Sequence, residues 1–200
     1  MTDTHQTDPH QINRRALTKD ILGDREDILA ISGLGGAGYD LTASRGDHDF
    51  NFCLHGSMGG APLVAMGLAL AQPERRVVAV LGDGDMLMGI GSLATIMTER
   101  PTNLAVLVLD NGHYVETGGQ KTAAGHGADL TAMVAAAGFE TAITLTDPNK
   151  QADVVKIIQE APGPVFVCAK ISKDQPESLP KTRDGNLMKL RFRKALLGTE

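Results

Sequence analysis

The stretch VAVLGDGDMLMGIGSLATI, Val78 to Ile96, decides the fold. It reads as a fully apolar strand, a glycine loop and an apolar helix. A continuous β-branched run such as Arg76–Leu81 (RVVAVL) suits a strand covered on both faces. Gly82 and Gly84 let the chain turn sharply and come close to a ligand. The free N–H groups that open the following helix favour an anion. Yet the loop carries Asp83 and Asp85 and no basic residue. An acid aimed at a phosphate repels it unless a divalent cation lies between them. Mg²⁺ takes hard oxygen ligands, a few from protein and the rest from water and phosphate. Asp83 is therefore a candidate metal ligand.

The same pattern recurs outward from this segment. Leu104–Leu109 (LAVLVL) reads as a second buried strand, and it ends in Asp110-Asn111-Gly112. In parallel sheets ligands gather at the carboxyl ends of the strands. This makes the Asn111 side-chain carbonyl a second candidate ligand and the main-chain oxygen of His113 a third. Further strands are expected at Asp27–Ser32, Phe50–Leu54, Thr141–Leu145 and Val165–Lys170. Helices are expected at Ile12–Leu22, Met58–Ala71, Met86–Thr98, Leu130–Ala137 and Pro148–Glu160. Residues 33–49 and 111–127 read as loop-rich segments. Strand–helix alternation predicts an α/β fold, three-layered and doubly wound around a mainly parallel sheet. One domain is expected over residues 11–170. A disordered arm, 1–10, precedes it, and a tail, 171–200, ends in a short basic helix, Leu187–Leu197.

GLGGAG, Gly33 to Gly38, matches the dinucleotide pattern G-x-G-x-x-G. That fingerprint needs a full helix behind it and an acid about 20 residues on. The YDLTASRGDHD that follows reads as too short and polar for such a helix, so a turn-forming loop is the expectation. The net charge of −5, with scattered basic residues, argues against a nucleic-acid surface. Cys53 and Cys168 lie in apolar runs and read as buried reduced thiols, Cys168 in a core strand. The polar N-terminus lacks a signal-peptide core. No apolar run reaches the ~20 residues of a membrane span. The expectation is a cytoplasmic protein with no membrane contact. Arg14, Arg15 and Lys19 read as a solvated helix face, and His48 and His126 as loop histidines. The Arg191, Arg193 and Lys194 cluster fits a partner contact or a solvated tail equally.

The pair GDG…DN resembles the thiamine diphosphate motif, a GDG and an asparagine pair separated by an interval of this length. Asp110 stands where many members have the first Asn, a position not expected to bind the metal. Asp85 stands where small hydroxyl residues are common, and it is expected to cap the helix and face away. LHGSMGGAPLVAMGLALA is similar to the family's G-x-M-G segment. DNGHYVETGGQKT resembles the loop of the two-subunit sulfopyruvate decarboxylases and the related phosphonopyruvate decarboxylases. The likeness covers most of residues 12–170 and is motif-specific in the central third.

The resemblance implies a thiamine diphosphate-binding fold of the diphosphate-domain type. Its implied cofactor contacts are Gly56, Ser57, Met58, Gly82, Asp83, Gly84, Asp85, Asn111, His113, Tyr114 and Val115. Among these, the Gly56 carbonyl accepts from the aminopyrimidine amine and Met58 is the wedge that keeps the cofactor bent. Asp83, Asn111 and His113 hold Mg²⁺. His55, Glu116, Thr117, Gly119 and Gln120 are implied substrate-pocket residues.

The implied activity is decarboxylation of a small 2-oxo acid. An acetolactate-synthase-like carboligase and a non-catalytic cofactor-binding module are the alternatives. Members of this type also need a pyrimidine-binding half that supplies a glutamate. That half is expected on a separate subunit of similar size, in an α₂β₂ or larger assembly. Contacts to an acidic substrate tail are expected from the same partner. The helices Met58–Ala71 and Met86–Thr98 are candidate partner faces, with core packing as the competing reading.

Overall fold

The computed structural model describes residues 12–23, 25–173, 176–179 and 182–198. The expected N-terminal arm, 1–10, lies outside the described residues. Six strands form one sheet: β1 (Leu29–Ser32), β2 (Asn51–Cys53), β3 (Val77–Gly82), β4 (Leu104–Asp110), β7 (Thr141–Leu145) and β8 (Val165–Lys170). Their order is β2-β1-β3-β4-β8-β7, and every pairing is parallel. Two further strands, β5 (His113–Tyr114) and β6 (Gln120–Lys121), make a small antiparallel hairpin inside the expected 111–127 loop.

Alternation along the strands sorts the core onto two faces. On one face Val77, Ala79 and Leu81 pack under α3 (Ala61–Ala71), α5 (Ser92–Glu99) and α6 (Leu130–Ala136). On the other, Val78 and Val80 pack under α1 (Arg14–Leu22), α2 (Gly36–Arg45) and α7 (Gln151–Glu160). The central strands are buried up to their carboxyl ends because they are roofed twice. This is the three-layer doubly wound arrangement. The last helix, α8 (Gly185–Leu197), buries Met188 and Phe192, and the Phe192 ring meets the edges of Phe50 and Phe52. Arg191 pairs with Asp47 at 2.7 Å, so this part of the basic cluster is spent within the chain.

Two expectations need correction. Residues 36–45 are a full helix, not part of a loop. Its buried positions are Ala37, Gly38, Asp40 and Leu41, so glycine and an ion-paired acid stand where an apolar stripe would have announced it. The expected Met86–Thr98 helix is two helices, α4 (Asp83–Met88) and α5, parted at Gly89–Gly91. At this break Gly89 packs directly on the backbone of Gly59, where any Cβ would overlap the Gly59 carbonyl.

The strand order reverses at β1 and β3. β1 is followed outward by β2, whereas β3 is followed in the other direction by β4. A crevice opens at the carboxyl ends flanking such a switch point, and ligands of open α/β sheets bind there.

Candidate active site

The loops after β1, β3 and β4 all empty into that crevice. A pocket of about 140 Å³ is walled by Leu34–Ala37 after β1, Gly82–Asp85 after β3, and Leu109, Asn111 and His113–Thr117 at and after β4. Met58 and Arg14 complete the wall.

Asp83 is the first residue of α4 and is 1% exposed. It accepts a hydrogen bond from the Thr122 hydroxyl at 2.5 Å. Burial pushes its carboxyl above the usual carboxylate range, and the nearby Asp110 charge adds to this, against the opposing hydrogen bonds. A buried anion of this kind calls for a cation. Asn111 sits one residue past β4, and its Oδ1 accepts the His113 N–H at 2.9 Å, which fixes the side chain in a tight turn. Asp110 anchors the start of that turn. Its Oδ1 accepts the Gly112 N–H at 2.9 Å, and its Oδ2 is paired with Lys170 of β8.

Asp85 departs from expectation. It neither caps α4, whose start has no side-chain cap, nor faces away. Its Oδ2 accepts the Leu34 N–H at 2.8 Å and its Oδ1 accepts the Gly59 N–H at 2.5 Å. One carboxylate thereby ties the β1 loop, the Met58 loop and the GDG loop together. Gly33 must be glycine beside it, because a Cβ there would overlap Asp85 Oδ2. Burial raises the Asp85 carboxyl, and the two N–H donors oppose the shift.

Gly84 lies against the Tyr114 ring, which occupies the space a side chain would need. Gly82, by contrast, faces open space. Glu116 and Thr117 hang over the mouth on a short 3₁₀ turn, with Glu116 nearest Gly35.

Of the residues expected at a cofactor or substrate site, the pocket wall collects Met58, Gly82, Asp83, Gly84, Asp85, Asn111, His113, Tyr114, Val115, Glu116 and Thr117. His55, Gly56, Ser57, Gly119 and Gln120 are not in that wall. The His55 ring is hydrogen-bonded to the Thr182 carbonyl at 2.8 Å. Gly56 and Ser57 are exposed beside Met58, and Gly119 and Gln120 are exposed at the hairpin tip. Sequence reasoning missed Leu34–Ala37, although GLGGAG had drawn notice for another reason. It also missed Thr122, for which no motif gave a signal. Arg14 was misread: it is a 9% exposed wall residue, not a solvated one. Its partner Asp40 lies 26 positions on, beyond the reach of local patterning.

The donors suit a hard cation. Asp83 offers a carboxylate oxygen, Asn111 an amide carbonyl and His113 a main-chain oxygen. Among the described residues no three His, Cys, Asp or Glu side chains gather as a metal cluster. No helix among the described residues is long and apolar enough to cross a membrane.

The chain matches the model of the thiamine pyrophosphate enzyme C-terminal TPP binding domain over residues 32–169. It is 40% identical to sulfopyruvate decarboxylase subunit beta of Methanothermobacter thermautotrophicus, over 73% of this chain and 75% of that one. It is 42% identical to a phosphonopyruvate decarboxylase of Streptomyces viridochromogenes, over 60% of this chain but only 30% of that one. The fold is shared with a Mycobacterium smegmatis structure described as a candidate thiamin diphosphate-dependent enzyme. The TM-score is 0.69 at 22% identity, covering 83% of this chain and 33% of the other. The chain thus spans about a third of the longer relative and most of the shorter one. With its switch-point pocket and its GDG and Asp-Asn loops, the chain belongs to the thiamine pyrophosphate enzymes, as their TPP-binding domain, alongside the beta subunits of sulfopyruvate decarboxylase.

Proposed function

We propose that this chain is the diphosphate-binding subunit of a Mg²⁺- and thiamine diphosphate-dependent 2-oxo acid decarboxylase. Its substrate is of the sulfopyruvate or phosphonopyruvate type. The observation that most supports the reading is the meeting of Asp83 and Asn111, two hard-oxygen donors from the carboxyl ends of adjacent strands, in the wall of one pocket. Asp83, Asn111 and the His113 carbonyl would hold the metal at the diphosphate end of the cofactor. Thiamine diphosphate, when bound, supplies the carbon nucleophile and electron sink that loss of CO₂ requires.

The chain's own residues place and shield that chemistry. Met58 gives the pocket an apolar shoulder. Tyr114 packs over Gly84 and keeps the hairpin down on the loop. Asp85 holds the three loops at fixed spacing. The pyrimidine end, with the glutamate that protonates it, belongs to a separate subunit in an α₂β₂ or larger assembly. Support comes from coverage: the relative matched over most of its length is named a beta subunit, whereas the longer relatives are matched over a third. A cytoplasmic location fits the buried Cys168 thiol.

The test is gentle purification of the tagged chain from its own host. The eluate is analysed for a co-purifying subunit and bound thiamine diphosphate, then for CO₂ release from a panel of 2-oxo acids. A stoichiometric partner of similar size, bound cofactor and turnover of an acidic 2-oxo acid are expected. A lone chain that does not bind thiamine diphosphate with Mg²⁺ would overturn the reading.

A further inference from the structure

Arg14 is a cation inside the pocket wall that the site described so far does not use. It opens α1 and is 9% exposed. Its Nε pairs with Asp40 Oδ2 at 2.8 Å, and Arg15 Nε approaches the other Asp40 oxygen at 3.9 Å. Two guanidiniums therefore flank one fully buried carboxylate. The terminal nitrogens of Arg14 fill the space that a side chain on Gly36 would take. The missing side chain is what lets the fork reach the pocket. Arg14 also walls a second cavity, formed with Tyr39, Glu116, Pro176 and Ser178. Among the described residues it is the one lysine or arginine in either wall. The acids nearby are otherwise engaged or peripheral. Asp83 faces the proposed metal, Asp85 is held by two N–H groups, and Glu116 is exposed at the mouth.

We infer that Arg14 binds an oxyanion at the junction of the two cavities. A planar guanidinium fork matches phosphate, phosphonate, sulfonate and carboxylate groups alike. Two sources present that chemistry: the phosphate end of the cofactor and a distal acidic group on the 2-oxo acid. The inference rests on the cofactor reading above, and it assigns to this chain an anion contact otherwise expected from the partner.

The experiment compares the wild-type complex with Arg14→Gln, Arg14→Lys, Asp40→Asn and the Arg14→Gln/Asp40→Asn double variant. The double variant avoids leaving Asp40 as a lone buried charge. The first arm measures Mg²⁺-dependent thiamine diphosphate affinity by titration calorimetry. The second measures, on the loaded protein, the affinity for 3-sulfopropanoate against propanoate, which lacks the second acid. Loss of a charge-assisted hydrogen bond weakens binding roughly tenfold to a hundredfold. A loss of that size in the first arm assigns Arg14 to the cofactor phosphate. A loss for 3-sulfopropanoate alone assigns it to the substrate tail. In either case Arg14→Lys recovers part of the affinity, because the charge survives and the fork does not. Folded variants with wild-type affinity in both arms overturn the inference while leaving the cofactor reading intact. A wild-type complex that does not bind thiamine diphosphate overturns both.

Discussion

Asp85 is the sharpest place to test how this pocket is held. Its carboxylate is 4% exposed and accepts two backbone N–H groups, from Leu34 and Gly59. Asp85→Asn removes the charge and leaves one acceptor, so the new amide N–H₂ must face one of the two donors. Asp85→Ala removes both acceptors. Each buried donor left unpaired costs about 1–3 kcal/mol. Two opposing effects reduce the sum: relief of a carboxylate whose burial already raises its pKa, and water entering around the part-buried Leu34 and Gly59. We expect a net loss of roughly 1–3 kcal/mol for Asp85→Ala, about 3–10 °C in melting temperature for a chain of this size. Asp85→Asn should fall between it and wild type. Thiamine diphosphate affinity should drop more steeply than stability, because three loops lose their common spacing.

Gly33 supplies the control. Gly33→Ala alone should destabilise, since its Cβ would overlap Asp85 Oδ2. The same change in an Asp85→Ala background should cost much less, a coupling expected of neighbours that share space. Thermal melts of the four proteins in the cycle, with cofactor titrations, decide the matter. Additive effects, or an Asp85→Asn protein that melts and binds as wild type does, would refute the reasoning.

Asp83→Asn should abolish Mg²⁺-dependent cofactor binding while the apo protein melts no lower than wild type, because a buried anion with a raised pKa has been neutralised. The sign of the pH effect follows. With its folded pKa raised, the stability linked to Asp83 is full below the ordinary value of 3.8 and is lost as pH rises through the folded value. Protons therefore compete with the metal, and Mg²⁺ affinity measured by calorimetry should fall as pH is lowered through that value. Met58→Ala should weaken cofactor binding yet leave it measurable, with turnover reduced further; equal loss in both would argue against the wedge role. Lys170→Met should destabilise by about 1 kcal/mol, a figure held down by the partial exposure of the lysine. Asp110→Asn in that background should restore most of the loss in denaturant melts.

Much of the fold was legible because buried parallel strands advertise themselves. The runs at β3, β4 and β8 are apolar up to their last residues, and the expected Thr141–Leu145 and Val165–Lys170 strands match β7 and β8. The Asp83 and Asn111 corner of the pocket was legible for a related reason. A GDG and a DN at strand ends are short, local and constrained by backbone geometry. What could not be read was whatever depends on a distant partner. α2 hid because Asp40 at its core makes sense only beside Arg14. Arg14 looked solvated for the same reason. Asp85 seemed badly placed beside a diphosphate until the Leu34 and Gly59 N–H groups were seen to claim it. The helix break at Gly89 follows from a backbone contact 30 residues away, with Gly59.

The placement of α8 bears on how this protein stays out of trouble in a crowded cell. Among the described residues β2 is the last strand on its side of the sheet and pairs with β1 alone. An unpaired strand edge is a template for another chain, and proteins blunt it with a covering element. Here α8 is that cover. Its Met188 sulfur accepts the Cys53 N–H at 3.0 Å, and its Phe192 sits on Phe50 and Phe52. A chain cut before Gly185 would keep its cofactor loops yet expose two phenylalanines beside an open ladder. It should self-associate into strand-paired aggregates, which makes the C-terminal helix a solubility device grafted onto a binding domain.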